Sequence, residues 1–202
     1  MKKIIFGILF SFLFCRGAAA GQADLQRIED YLNGLQTLQA SFVQMASNGG
    51  TAEGKIYISK PSKIRMEYTA PDSILIVGNG DYIIYHDKEL DQITNIDYKD
   101  IPATMILTQK IHFDGSNLKV TDFYKDRGQT SVTVETPKNK SIKPITLIFD
   151  NNPFRLKQWK VVDQQNIEVT ISLFDIESDV QLADSLFRFD RKASGASKVQ
   201  RK

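Results

Sequence analysis

His86 and His112 are the only histidines in the chain, and no motif joins them. His86 precedes Asp87, with Glu89 and Asp91 close behind, and such residue types suit proton transfer or metal binding. A polar hairpin tip has the same composition, and geometry rather than adjacency makes a site. Asp175, Glu177 and Asp179 alternate at the end of a candidate strand, as oxygen ligands for calcium would. No EF-hand spacing or turn glycine accompanies them, so a solvated edge is the expectation. The single cysteine, Cys15, leaves almost no material for a zinc site. There is no G-x-S-x-G elbow, phosphate loop or dinucleotide fingerprint. Nothing selects a working pair among the 24 carboxylates. The expectation is a protein that is not an enzyme, with no catalytic residue, cofactor or metal.

The elements that would position any site are mostly strands. Leu25, Ile28, Leu32 and Leu35 recur at helical spacing between Asp24 and Leu35, with Asp24 placed to meet the positive end of the helix dipole. The period then changes to two. Candidate strands lie at 38–46, 52–60, 63–69, 73–78, 82–86 and 90–96, and further ones near 117–124, 130–136, 143–150, 155–162 and 167–175. Asn48-Gly49-Gly50, Lys60-Pro61, Ala70-Pro71, Gly78-Asn79-Gly80-Asp81, Arg127-Gly128 and Asp150-Asn151-Asn152-Pro153 punctuate them. The segment 101–111, IPATMILTQKI, interrupts the pattern and predicts a short apolar helix entered at Pro102. Roughly eleven short strands imply a sandwich, a barrel or one large curled antiparallel sheet.

Length and composition agree with one domain. At 202 residues, 42% hydrophobic and 25% charged, the chain can bury one sizeable core without staples. No repeat, low-complexity linker or composition shift marks a second unit. Lys2 and Lys3, the apolar run Ile4–Phe14 and Ala18-Ala19-Ala20 have the form of a secretory signal peptide, with cleavage after Ala20. Eleven apolar residues are too few for a spanning helix, which needs roughly 20. Bulky Phe14 before Cys15 argues against lipid attachment there. Losing Lys2, Lys3 and Arg16 from the 26 basic residues leaves one fewer than the 24 acidic ones. This near-neutral balance gives no ground for a nucleic-acid partner. The expected division is 1–20 signal peptide, 21–190 a single domain and 191–202 a basic tail. That tail, RKASGASKVQRK, is either a solvated terminus or a contact for an anionic membrane surface.

Several strands are apolar in a telling way. Ile64, Met66 and Tyr68 share one face of 63–69, with Lys63, Arg65 and Glu67 on the other. In SILIV and YIIY both faces are apolar, so that part of the sheet must be covered twice. The first helix and 101–111 are the evident covers for one side. A filled core and a ligand cavity under a movable lid write the same pattern.

The order of several short motifs resembles the periplasmic lipoprotein carriers of the LolA-like family. They are Phe42-Val43-Gln44, Gly54-Lys55 in the next strand, KPSKIRMEYTAPDSILIVGNG at 60–80, YIIYHDKELDQIT at 82–94 and Ile101-Pro102 with its apolar run. The likeness is clearest over 38–110 and diffuse towards the C-terminus. It implies a mainly β fold with few helices, an unclosed antiparallel β-barrel or strongly curved sheet capped by an N-terminal helix and a short lid helix. It also implies a monomeric periplasmic carrier, in a Gram-negative bacterium, that shelters the acyl chains of lipoproteins. Such a carrier takes its cargo from an inner-membrane ABC transporter complex and hands it to an outer-membrane receptor, with only transient membrane-surface contact. Carried over by position, Leu32, Leu35, Phe42, Ile64, Met66, Tyr68, Ile76, Met105 and Ile106 would line or close the acyl cavity. Lys60 and Arg65 would latch its mouth. Lys60 stands where family members carry an arginine that ties the lid to the barrel, keeping the charge but not the planar fork. The alternatives are another lipid or glycolipid as ligand, an envelope regulatory or adaptor domain whose core is simply full, and a lipid hydrolase.

Overall fold

The computed structural model describes residues 17–190 except 141 and 164; residues 1–16 of the expected signal peptide 1–20 and the expected basic tail 191–202 lie outside the described residues. One helix, α1 (Gly17–Gly34), is followed by eleven strands. These are β1 (Thr37–Ala46), β2 (Thr51–Ser59), β3 (Lys63–Ala70), β4 (Ile74–Gly78), β5 (Tyr82–Asp87), β6 (Gln92–Asp97), β7 (Lys119–Lys125), β8 (Gln129–Glu135), β9 (Ile145–Asn151), β10 (Phe154–Val162) and β11 (Glu168–Ser178). Short 3-10 turns form at Tyr98–Asp100, Pro102–Leu107 and Asp184–Phe187.

All eleven strands form one unclosed antiparallel sheet in the order β6-β5-β4-β3-β2-β1-β11-β10-β9-β8-β7. Two hairpin meanders, β1–β6 and β7–β11, are stitched together where the first strand pairs with the last. The two free edges, β6 and β7, are consecutive in sequence. Residues 98–118 must therefore run from one edge of the sheet to the other, and the segment expected to be a lid is this crossover.

Alternation, shifted at a few bulges, assigns one side of most strands to a single core. Leu38, Ala40 and Phe42 of β1 stand beside Ile58, Ile56 and Gly54 of β2, which stand beside Ile64, Met66 and Tyr68 of β3. In the other half Leu173 and Ile171, then Trp159, then Leu147, then Val132 continue the same face. Apart from Gly54 and the half-buried Tyr68, these residues are buried in one cluster with Ile28, Leu32 and Leu35 from α1 and Met105, Ile106, Leu107, Ile111 and Leu118 from the crossover. We call this the inner face.

Helix α1 is anchored to the second meander through aromatic contacts. The Tyr31 ring meets Phe149 and Phe154 edge-on, both at 5.7 Å between centroids, and the Arg27 guanidinium lies 4.1 Å from the centre of Phe154. The helix is already formed at Gly17, the first described residue, ahead of where its apolar spacing starts. Asp24 therefore does not sit in its first turn; it pairs with Lys125 of β7 at 2.6 Å.

The expected lid helix is only a 3-10 turn, Pro102–Leu107, after which the chain continues irregularly to Ile111. Pro102 opens it as expected, and Thr104 Oγ1 donates back to the carbonyls of Tyr98 and Ile101. Six residues closed by this tight turn present Thr104, Met105, Ile106 and Leu107 together to the sheet.

Candidate functional site

The residues expected at the site gather on the inner face. Leu32, Leu35, Phe42, Ile64, Met66, Met105 and Ile106 are buried in the common cluster, and Tyr68 and Ile76 pack against it half-buried. The short motifs meet in space. The Phe42 ring lies edge-on to Tyr68 at 4.9 Å, and the Tyr68 hydroxyl donates to Oε1 of Gln44 at 2.9 Å. Gly54 lies between them because nothing larger fits. A Cβ there would stand 2.0 Å from the Glu67 carbonyl oxygen and 2.9 Å from the Phe42 ring. Burial holds the Tyr68 phenol at about 12, so it remains a neutral donor in ordinary conditions.

Lys60 and Arg65 part company. Lys60 reaches under the end of α1, where its ammonium donates to the Leu32 carbonyl oxygen at 2.6 Å. The last carbonyls of a helix lack intrahelical partners and carry partial negative charge, so a cation there is well placed. Burial nevertheless lowers the Lys60 pKa to about 8. Arg65 alternates with Ile64 and Met66 and so projects from the opposite, outer face. Its Nε donates to Glu67 at 2.6 Å and its Nη1 to the Leu186 carbonyl at 3.0 Å. The expectation that both cations flank one mouth is corrected accordingly: Lys60 holds α1, whereas Arg65 holds the segment after β11.

The covers are tied to each other and to the sheet by a few polar bonds. Asn33 clamps Ile111 from both sides, donating to its carbonyl at 2.9 Å and accepting from its N–H at 2.7 Å. Glu29 accepts the N–H of Phe113, and one of its oxygens lies 3.5 Å from His112 Nδ1. The Ser62 N–H donates to the Leu107 carbonyl at 2.9 Å, and Thr136 donates to the Met105 sulfur. Alternation finds the apolar lining, but a bracketing asparagine has no sequence signal beyond its amide, and Asn33 escapes it.

The outer face of β3–β5 has the second cover that its composition demands. Leu75, Val77 and Ile84 are buried there together with Phe187 of the turn Asp184–Phe187. Lys63 pairs with Asp184 at 2.8 Å, and Thr37 donates to the Val180 carbonyl, so the segment after β11 is strapped across the sheet. His86 lies fully buried beneath this strap, edge-on to Phe189 at 5.6 Å. It is not part of a polar hairpin tip. Asp87 alone serves the tip, accepting the N–H groups of Glu89 and Leu90. Glu177 accepts from Gln39, and among the described residues no group of three acidic, histidine or cysteine side chains is arranged to hold a metal.

An antiparallel unclosed sheet with an apolar inner face under a helix and a crossover is a known arrangement. The family model described as outer membrane lipoprotein carrier protein LolA matches residues 33–190. The chain belongs to the LolA family. Among its relatives, an outer-membrane lipoprotein carrier protein of Pseudomonas aeruginosa is 28% identical over 200 residues, covering 90% of this chain and 92% of the other. An uncharacterised protein of Rickettsia prowazekii is 26% identical over 194 residues, covering 94% and 88%. The solved LolA superfamily protein of Nitrosomonas europaea superposes with a TM-score of 0.50 at 8% identity, covering 83% of this chain and 97% of that one. A DUF1329 family protein of Desulfovibrio piger gives 0.52 at 11%, covering 84% and 96%. At such identities the structures establish the fold. LolA-family membership establishes a lipoprotein-carrier lineage, which is not one of enzymes. Among the described residues no helix is long and apolar enough to cross a membrane.

Proposed function

We propose that this protein is a monomeric periplasmic carrier that shelters the acyl chains of lipoproteins on its inner face and passes them from the inner to the outer membrane. The observation that carries the reading is one continuous apolar face, closed by α1 and the crossover rather than by strands. Strands cannot leave a sheet cheaply, because each departure breaks a ladder of hydrogen bonds. A crossover held by the Asn33, Glu29 and Ser62 contacts can leave at much lower cost.

Magnitudes support an exchange of covers. Burying Met105, Ile106, Leu107 and Ile111 contributes roughly 6–12 kcal/mol at about 1.5–3 kcal/mol each. One palmitoyl chain, at about 0.8 kcal/mol per methylene, contributes about 11 kcal/mol. A single chain therefore roughly replaces the lid's own side chains, and a second or third chain tips the balance toward the loaded state. The empty protein hides its surface without making loading uphill.

In this reading Leu32, Leu35, Phe42, Ile64, Met66, Tyr68, Ile76, Met105 and Ile106 line or close the acyl site, and Met66 and Met105 repack readily around different chains. Lys60 latches α1. Loading comes from an inner-membrane ABC transporter complex, and unloading needs an outer-membrane receptor that shelters the chains better, a difference of affinities rather than a reaction. Residues 1–20 act as the export signal. The test is titration of the exported protein with a triacylated lipopeptide. Saturable binding of the wild type, reduced far more than stability by Ile64→Glu, is expected. Absence of binding, or equal loss of binding and stability, would overturn the carrier reading.

A further inference from the structure

Trp159 is the only tryptophan in the sequence and is among the largest fully buried side chains of the protein. It stands on the inner face of β10 between Leu147 of β9 and Ile171 of β11. Its Nε1 is shielded from solvent and has no hydrogen-bond partner among the described residues. Buried indoles ordinarily find an acceptor, and an unpaired buried donor is costly enough to need an explanation. A phenylalanine would fill the same strand position without that cost. Of the other unpartnered buried atoms, those of His86 lie beneath the outer strap with the Asp91 oxygen 3.6 Å away, and the Tyr98 hydroxyl belongs to the crossover, which packs on this core.

An indole nitrogen only donates, so whatever satisfies it is an acceptor. Its neighbours on the sheet, Leu147, Ile171, Val161 and Ile145, are apolar and belong to or pack on the core cluster. A carboxylate or phosphate drawn in among them would be stripped of water at a large cost. The acceptor must therefore be neutral and attached to hydrocarbon. We infer that the indole N–H of Trp159 donates to an ester or amide carbonyl at the head of a bound acyl chain, making Trp159 a polar reading point of the acyl site. The inference rests on the carrier reading and refines it. The inner face recognises acylated molecules as acyl compounds, and not merely as hydrocarbon.

The test compares a dipalmitoyl ester lipopeptide with its dihexadecyl ether analogue, which has the same chains and no ester carbonyls. Wild-type protein is expected to bind the ester about five- to tenfold more tightly, the increment of one neutral hydrogen bond. Trp159→Phe is expected to bind both with the affinity of the ether. In the wild type, the indole Nε1–H proton resonance, unique in this protein, should move downfield with the ester and stay in place with the ether. Equal wild-type affinities, a retained ester preference in Trp159→Phe, or an unmoved indole proton would overturn the inference while leaving the carrier reading intact. Failure of both ligands to bind would overturn the carrier reading itself. The resonance decides the matter even if Trp159→Phe does not fold.

Discussion

The ammonium of Lys60 donates to the carbonyl oxygen of Leu32 at 2.6 Å, joining the turn after β2 to the last turn of α1. Because burial holds its pKa at about 8 rather than 10.5, the folded protein binds this proton more weakly than the unfolded chain does. Between about pH 8 and 10.5 the unfolded state carries more protons, so stability rises with pH across that window. Below it both states are charged and the desolvation cost is present in full. The urea midpoint of the wild type should thus climb relative to Lys60→Met from pH 7.5 to 10, and a pH-independent difference would contradict the burial of the ammonium. Lys60→Arg, which cannot shed its proton, should abolish the climb.

At Gly54 the prediction is steric. An added Cβ would collide with backbone, the Glu67 carbonyl oxygen at 2.0 Å, and not merely with a flexible side chain. Gly54→Ala should cost about 1–3 kcal/mol by separating β2 from β3 or displacing Phe42. Denaturant unfolding checks the cost, and the Phe42 and Tyr68 ring resonances should shift in the same variant. A neutral substitution would mean that the two strands part there freely.

Much of this was legible from alternation. Ile64, Met66 and Tyr68 share a face because side chains alternate, and the same rule put Arg65 on the opposite one. Family likeness, carried over by position, placed Arg65 at the mouth with Lys60, and the local period was the better guide. Apolar residues on both faces of β4 and β5 announced a second cover without saying where it comes from. The strap bearing Phe187 and Phe189 is a short, aperiodic stretch whose role exists only through its position over Leu75 and His86. Trp159 sits where the family likeness is diffuse. Which face of an amphipathic strand is the inner one depends on partners far away in sequence, here β9 and β11. The crossover's 3-10 geometry was hidden for another reason: Pro102 marks where the segment begins, but its hydrogen-bond spacing is set by docking on the sheet.

His86 offers a prediction with an unusual sign. Both ring nitrogens are buried without a hydrogen-bond partner among the described residues, and the Asp91 oxygen nearest Nε2 is 3.6 Å away. Replacing a buried unsatisfied polar group by an apolar one of similar shape is neutral or favourable, so His86→Phe should leave stability unchanged or raise it by about 1 kcal/mol. His86→Ala should instead lower it by about 2–4 kcal/mol, through the void left beneath Phe189. Equilibrium urea unfolding of the pair separates the two effects. A large loss in the phenylalanine variant would show that the imidazole is bonded in solution.

Asn33 is a two-point polar tie between α1 and the crossover, since its one amide satisfies both backbone groups of Ile111. Asn33→Ala leaves that N–H and carbonyl unpaired against the end of α1 while removing nothing from the apolar inner face. The closed state alone is penalised, by about 1–3 kcal/mol. If loading requires the crossover to lift, the apparent affinity for an acylated ligand is the intrinsic one reduced by the fraction of open molecules. Weakening closure should therefore bind a triacylated lipopeptide about tenfold more tightly even though the empty protein becomes less stable, with faster amide exchange across 105–113. Stability and affinity moving in opposite directions would mark Asn33 as a catch on a lid. A fall in both would mean that the crossover is simply part of the core, and that cargo, if any, binds elsewhere.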